Sequence, residues 1–262
     1  MIITSHVIAA GEFRVHALQK TSAEVVLCNS TGEVLYQKNE NERVSIASLT
    51  KILTAITAIE NYDLSREITI TEDMVGVEGS SIYLKVGEVL SLKELLYGLM
   101  LRSGNDAATA IAVGCAGSIE DFVDLMNKTA IKSGAFSSHF VNPHGLEEKD
   151  HYSTALDIAR ITAYALKNKD FAEIVSTKRV KLRNTSGGEE RILINKNKML
   201  YRYDGADGVK TGYTKTSGRC LISSATKNGV QLICVVINRP DTYERTIELF
   251  DRYFEKYDLL GA

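Results

Sequence analysis

Apolar positions change their rhythm twice along this chain. Leu49, Ile52, Leu53, Ile56 and Ile59 recur at the spacing of one helix face, which predicts a helix ending near Asn61. Before it, Ala23 to Cys28 and Glu33 to Gln37 are short β-prone runs around Ser30-Thr31-Gly32, predicting an opening hairpin. Residues 62 to about 200 then read as helices joined by short extended links. Ser91 followed by Glu94 forms a capping box, and Leu92, Leu95, Leu96 and Leu99 supply the buried stripe behind it. That helix stops at Arg102, so Ser103-Gly104-Asn105 falls in a turn, with Asn105 expected as the N-cap of the next helix. The next helix is built from Ala107, Ala108, Ala110, Ile111, Ala112 and Val113, small enough to pack closely at the centre.

Ser118 with Asp121 opens a further helix to Ser133-Gly134, and Ser153-Thr154 opens one through Lys167. Between them Asn142-Pro143-His144-Gly145-Leu146 reads as a loop. From Gly205 the strand rhythm returns. Gly208 to Tyr213 is a short strand, and Gly218 to Thr226 pairs with Val230 to Asn238 around the Asn228-Gly229 turn. A last helix, Asp241 to Tyr257, carries Ile247, Phe250, Phe254 and Tyr257 on one side. Strands at both ends with helices between them predict an α+β fold: an antiparallel sheet from both termini, flanked by helices, with a mostly helical inserted subdomain. The expected division is an extension over 1–21, a sheet subdomain from 22–61 plus 205–262, and the insert over 62–204, with a cleft between the last two.

Composition changes this picture little. At 262 residues, 44% hydrophobic and 24% charged, the chain can bury a sizeable core. A net charge of −2 gives no nucleic-acid footprint, and no apolar run is long enough to span a membrane. The N-terminus has a short apolar region and a small-residue site at Val15-His16-Ala17, but no basic segment before it; it reads as a degraded or trimmed signal segment or, the favoured reading, as a plain surface extension. Cys28, Cys115, Cys220 and Cys234 form no C-x-x-C pair, so a zinc site is not expected. The hairpin register sets 223 opposite 234 and 220 opposite 237, which keeps Cys220 and Cys234 from facing each other. All four read as small core residues, with a disulfide left open.

Chemistry enters at Ser48-Leu49-Thr50-Lys51. A serine and a lysine three apart share a helix face, so the hydroxyl can reach the amine. A serine needs a base to become a nucleophile, and lysine can be that base once burial or a neighbouring cation lowers its pKa. Backbone N–H groups at the helix start favour a developing oxyanion. One S-x-x-K is a weak signal, but Ser103-Gly104-Asn105 and Lys210-Thr211-Gly212 follow in order, the pattern of penicillin-binding proteins and class A β-lactamases.

The wider stretches Ala47 to Lys51, Leu101 to Ala108, Asn142 to Leu146 and Asp207 to Thr214 resemble the low-molecular-mass D-alanyl-D-alanine carboxypeptidases, serine peptidase family S11. The resemblance covers roughly residues 22 to 258. It implies a β-lactamase/DD-peptidase-like fold and an acyl-enzyme on Ser48 with Lys51 as its base. Ser103 would relay protons between Lys51 and Lys210, and Asn105 would orient Lys51 and bind the peptide amide. Lys210 and Thr211 would hold the substrate's terminal carboxylate, Gly212 would let the strand approach, and Ser48 and Tyr213 would supply oxyanion N–H groups. Arg245 is matched to a family arginine that helps hold the carboxylate, with Arg239 as a nearby competitor. The implied substrate is a peptidoglycan peptide ending in D-Ala-D-Ala in the bacterial cell envelope, with β-lactams as inhibitors and no metal or cofactor.

Other readings also fit these residues. A β-lactamase on the same fold would need a deacylating glutamate; Glu147 and Glu148 are the nearest acids, and no asparagine follows at short spacing. A non-catalytic β-lactam or peptidoglycan sensor could keep Ser48 and acylate without turnover. His144 reads as part of a structural turn, Cys220 as core, and Tyr83 as a residue that could line the cleft. Ser217 stands where the family commonly has alanine. Family members usually carry a signal peptide, a C-terminal β-rich domain and a membrane-anchoring helix; here the sequence ends at Ala262 after the last core helix, so it is either trimmed or a bare catalytic domain, and the residues present do not support membrane attachment.

Overall fold

The computed structural model describes residues 21–182 and 190–258. The expected extension over 1–21 and the chain end at Ala262 therefore fall outside the described residues, apart from Thr21. In chain order the elements are β1 (Ala23–Cys28), β2 (Val34–Lys38), α1 (Thr50–Asn61), β3 (Glu67–Thr69), β4 (Val89–Ser91), α2 (Leu92–Arg102), α3 (Asn105–Ala116) and α4 (Ile119–Lys132). There follow α5 (Ala155–Leu166), α6 (Lys169–Ser176), β5 (Arg179–Lys181), β6 (Ile192–Ile194), α7 (Met199–Arg202), β7 (Ala206–Thr214), β8 (Gly218–Lys227), β9 (Val230–Ile237) and α8 (Thr242–Asp258).

The main sheet has five antiparallel strands in the order β2-β1-β9-β8-β7, so both ends of the chain build it. The β8–β9 hairpin takes the register its Asn-Gly turn predicts: Ser223 faces Cys234 and Cys220 faces Ile237. All four cysteines are buried and free. Alternation along β1 sorts the two faces. Ala23, Val25 and Leu27 join a large core with α1, α2, α3 and α5, while Val26 and Cys28 join Leu249, Phe250 and Phe254 of α8. Burying one such large side chain contributes about 1.5–3 kcal/mol.

Helix α5 packs on β1 and β9, and α1 touches α2, α3, α4, α5 and α6. The first helix thus runs through the middle of the helical layer, with Lys51 through Ala58 all buried. Sequence periodicity did not reach the three-residue strands β3 to β6, nor the short helices α6 and α7, which fall below the length at which a period can be counted. The capping box at Ser91 is present, with both hydrogen bonds made. Among the described residues no helix is long and apolar enough to cross a membrane.

Candidate active site

The Ser48 segment is a tight 3-10 turn, Ala47–Leu49, that feeds into α1. Ala47 is held at φ +47°, a left-handed conformation that a residue with a Cβ rarely adopts. Strand β7 lies against this turn. A Cβ placed on Gly212 would sit 3.3 Å from the Ser48 nitrogen, so the absence of a side chain there lets the strand come close to the nucleophile's backbone.

Lys51 is fully buried on α1. Its Nζ lies 3.0 Å from Ser48 Oγ, 2.7 Å from Asn105 Oδ1 and 2.6 Å from the His144 carbonyl oxygen. Two of these three partners can only accept. A neutral amine spends its two protons on them and turns its lone pair to the Ser48 hydroxyl. Burial first, then the Lys210 and Lys196 charges, push the Lys51 pKa well below its ordinary value, against a smaller pull upward from Asp106.

Lys210 on β7 is also buried and donates to the Thr211 carbonyl at 2.8 Å. Burial, helped by Lys196, lowers its pKa to about 7. Lys196, which follows β6, donates to Ser80 Oγ at 3.3 Å and is itself lowered by burial and Arg102. Among the described residues none of these three lysines forms an ion pair with a carboxylate.

Ser103 closes α2 in a left-handed conformation at φ +64°, and its hydroxyl has no hydrogen-bond partner among the described residues. The expected bridge from Ser103 to Lys51 and Lys210 is thus not formed here. Asn105 is not the N-cap of α3; Gly104 takes that position and Asn105 is the first helical residue. Its side chain is occupied elsewhere, accepting from Lys51 and donating to the Glu78 carbonyl, while its N–H donates to the Ser80 carbonyl. Asp106 beside it accepts from Ser81 Oγ and from the N–H groups of Ile82 and Leu84. The 78–84 segment is thereby fastened to the first turn of α3, with Tyr83 80% exposed at its outer bend. Thr211 and Tyr213 stand on β7, the edge strand of the sheet, and the Tyr213 ring is exposed.

The Asn142–Leu146 loop enters through its backbone. The His144 carbonyl holds Lys51, while the ring is buried, accepts from the Leu146 N–H, and has its pKa lowered to about 4 by burial and Lys51. Glu147 accepts from the Thr216 N–H at 3.1 Å and from Thr216 Oγ1 at 2.7 Å, and Glu148 accepts from Asn142. Both acids are spent on the loop and the β7–β8 turn, which disfavours a deacylating glutamate here. Ser217, where alanine is common in the family, takes part in that turn: its hydroxyl accepts from the Thr214 N–H and closes it. Cys220 is core, its thiol pushed up to about 11 by burial.

Arg245 is the residue the structure takes out of the site. It lies on α8, behind the sheet, bonded to Glu24 of β1 at 2.7 Å and to Tyr36 of β2 at 3.0 Å. Strands β9 and β8 separate β1 from β7, and Arg239 shares the same glutamate, so neither arginine faces the lysines. Lys196 is the cation that sequence reasoning missed. It belongs to no motif, and only the fold of β6 brings it beside Ser80.

A family model described as D-alanyl-D-alanine carboxypeptidase, peptidase S11, matches residues 12–241. The chain is 37% identical over 247 residues to the D-alanyl-D-alanine carboxypeptidase DacF of Bacillus subtilis, covering 91% of this chain and 63% of the relative. It is 35% identical to the D-alanyl-D-alanine carboxypeptidase of Streptomyces sp. K15, covering 80% of this chain and 77% of that one. The chain thus spans less than two thirds of the Bacillus relative's length. Among solved structures, the D-alanyl-D-alanine carboxypeptidase of Mycobacterium tuberculosis superposes with a TM-score of 0.84 at 30% identity, covering 89% and 90% of the two chains. The Streptomyces K15 DD-transpeptidase superposes with a TM-score of 0.77 at 33% identity, covering 82% and 88%.

Proposed function

From the premise that this chain belongs to the peptidase S11 family of D-alanyl-D-alanine carboxypeptidases, we propose that it removes the terminal D-alanine from peptidoglycan peptides through an acyl-enzyme on Ser48. The observation that carries the reading is the set of three lysines near Ser48, Lys51, Lys210 and Lys196, which have no carboxylate partner among the described residues. A peptide ending in D-Ala-D-Ala brings the missing anion with it. Its carboxylate meets Lys210 and Thr211, with Lys196 adding charge, and this seats the penultimate carbonyl over Ser48.

Lys51 takes the Ser48 proton as Oγ attacks that carbonyl, and the oxyanion is held by the Ser48 and Tyr213 N–H groups. The C–N bond breaks, and the proton that Lys51 took passes to the departing amine of D-alanine, carried by the Ser103 hydroxyl once it turns from its unbonded position to bridge the two. Water then attacks the ester, with Lys51 again as base, and frees Ser48. A β-lactam presents a carboxylate and a strained amide in the same arrangement, so it acylates Ser48 and clears slowly. The place of action is the bacterial cell envelope, where this substrate lies.

The test is D-alanine release from diacetyl-L-lysyl-D-alanyl-D-alanine, with penicillin labelling located by peptide mass. Release and labelling at Ser48, both lost in Ser48→Ala, support the reading. Labelling without release supports a sensor, and fast penicillin turnover a β-lactamase. A folded protein that does neither refutes the assignment.

A further inference from the structure

Behind the nucleophile turn lies a chain of hydrogen bonds that the proposed reaction does not use. Thr50 Oγ1 donates to the Ala47 carbonyl at 2.9 Å, and the same oxygen lies 2.9 Å from His151 Nε2. His151 Nδ1 accepts from the Val141 N–H at 3.2 Å. The protons can be assigned by counting. Nδ1 is an acceptor, so Nε2 carries the hydrogen of the neutral ring. Thr50 has one proton, which goes to Ala47, so it receives from Nε2–H. The direction is fixed: His151 to Thr50 to Ala47.

What stands at the end of that chain is the left-handed Ala47, immediately before Ser48. Gly145 also comes close to this carbonyl: an added Cβ there would lie 2.0 Å from the Ala47 oxygen and 2.9 Å from Thr50 Oγ1. His151 is itself fixed: it is 4% exposed and edge-on to Phe140 at 5.6 Å between ring centres. Burial and the neighbouring His144, His139 and Lys51 lower its pKa to about 3, so it stays neutral at working pH. A strained conformation persists only where surrounding contacts hold it, and such strain gathers at functional sites.

We propose that Thr50 and His151 are positioning residues that hold Ala47 in its left-handed turn, and thereby fix the direction of the Ser48 hydroxyl and of the Ser48 N–H. Neither touches substrate. Their effect is on the acylation step, because a turn that relaxes to an ordinary conformation carries Ser48 away from Lys51 and from the reacting carbonyl. The inference rests on Ser48 as nucleophile. It adds a reason for a threonine at position 50 that periodicity alone does not supply.

The experiment compares penicillin acylation in the wild type, Thr50→Val, Thr50→Ser and the double variant Thr50→Val/Ala47→Gly, separating the pre-covalent binding constant from the acylation rate. Valine keeps the shape of threonine and removes its hydroxyl. Acylation in Thr50→Val is expected to fall about 10- to 100-fold, the size of loss that a small misplacement of a reacting group brings. The binding constant stays near that of the wild type, and Thr50→Ser recovers the rate. The decisive arm is the double variant. Glycine adopts positive φ without cost, so Ala47→Gly should return at least about 5-fold of what Thr50→Val lost.

Equal rates in wild type and Thr50→Val overturn the inference alone. So does a loss that glycine does not relieve, since Thr50 would then act through something other than Ala47. A wild type that is never labelled at Ser48 overturns the site reading and this inference with it. Should Thr50→Val fail to fold, His151→Gln and His151→Leu carry the same question. Glutamine can present an N–H to Thr50 and leucine cannot, so faster acylation by the glutamine variant supports the proposal and equal rates overturn it.

Discussion

Two clusters of charge flank the same sheet, and they are built on opposite principles. Behind it, Glu24 is completely buried and accepts from both Arg239 and Arg245. Arg239 also binds Asp241, and Arg245 also binds Tyr36 and Glu248. Burial alone would raise the Glu24 pKa, but the two guanidiniums outweigh it and hold the carboxyl below its ordinary value. In front, Lys51, Lys210 and Lys196 gather with carbonyl and hydroxyl partners and no carboxylate among the described residues. A structural cluster balances its charges internally. The cleft leaves an imbalance that a substrate anion can satisfy, at a cost in stability.

The sharpest way to break this comparison is to remove one member of each cluster and read both activity and stability. Lys51→Met should lower kcat for D-alanine release by about 10³-fold or more, equal to about 4 kcal/mol of barrier, while the melting temperature holds or rises. Glu24→Gln should do the reverse. It takes the shared anion from two arginines and should cost about 3 kcal/mol of unfolding free energy in urea titration, with kcat/KM of the folded protein unchanged.

Lys210→Met should lower kcat/KM about 100-fold, or roughly 2.7 kcal/mol, mostly through KM. Lys196→Met, acting from beside Ser80, should cost nearer 10-fold.

Acidity separates the clusters further. The folded state gives up the Lys210 proton near pH 7, whereas the unfolded chain keeps it to about the ordinary lysine value of 10.5. Between those values the unfolded state binds more protons, so stability rises with pH, and Lys210→Met should flatten that slope. Glu24 is depressed in the folded state, so its contribution is present above its unfolded value of 4.5 and is lost as pH falls through the lower folded value. Glu24→Gln should remove that acid-side slope. In kinetics, kcat/KM should fall on the acid side as Lys51 is protonated and on the alkaline side, from about pH 7, as Lys210 is neutralised.

The front cluster was largely legible in the sequence because its chemistry is local. Ser48 and Lys51 share one helix turn, and Lys210 to Tyr213 share one strand, so spacing already implied their faces. The β8–β9 register was legible for the same reason, since two turn residues fix it. What could not be read depends on contacts across the fold. Lys196 has no motif and gains its meaning only from Ser80. Asn105 looked like a cap because asparagine often is one, yet tertiary contact with Lys51 and Glu78 claimed its side chain. Arg245 was misplaced because a helix-start arginine is uninformative about which face of a sheet it will meet, and Glu24, its partner, lies 221 residues away along the chain.

The most direct test of the central claim compares two substrates on the wild-type enzyme: diacetyl-L-lysyl-D-alanyl-D-alanine and the same peptide ending in D-alanine amide. The bond to be cut is the same, and only the terminal charge is removed. If the lysines that lack a carboxylate partner among the described residues exist to meet that carboxylate, kcat/KM should drop about 100-fold or more for the amide, with most of the drop in KM. Equal cleavage of the two peptides would contradict the account, because the charge imbalance in the cleft would then have no part in recognising the substrate.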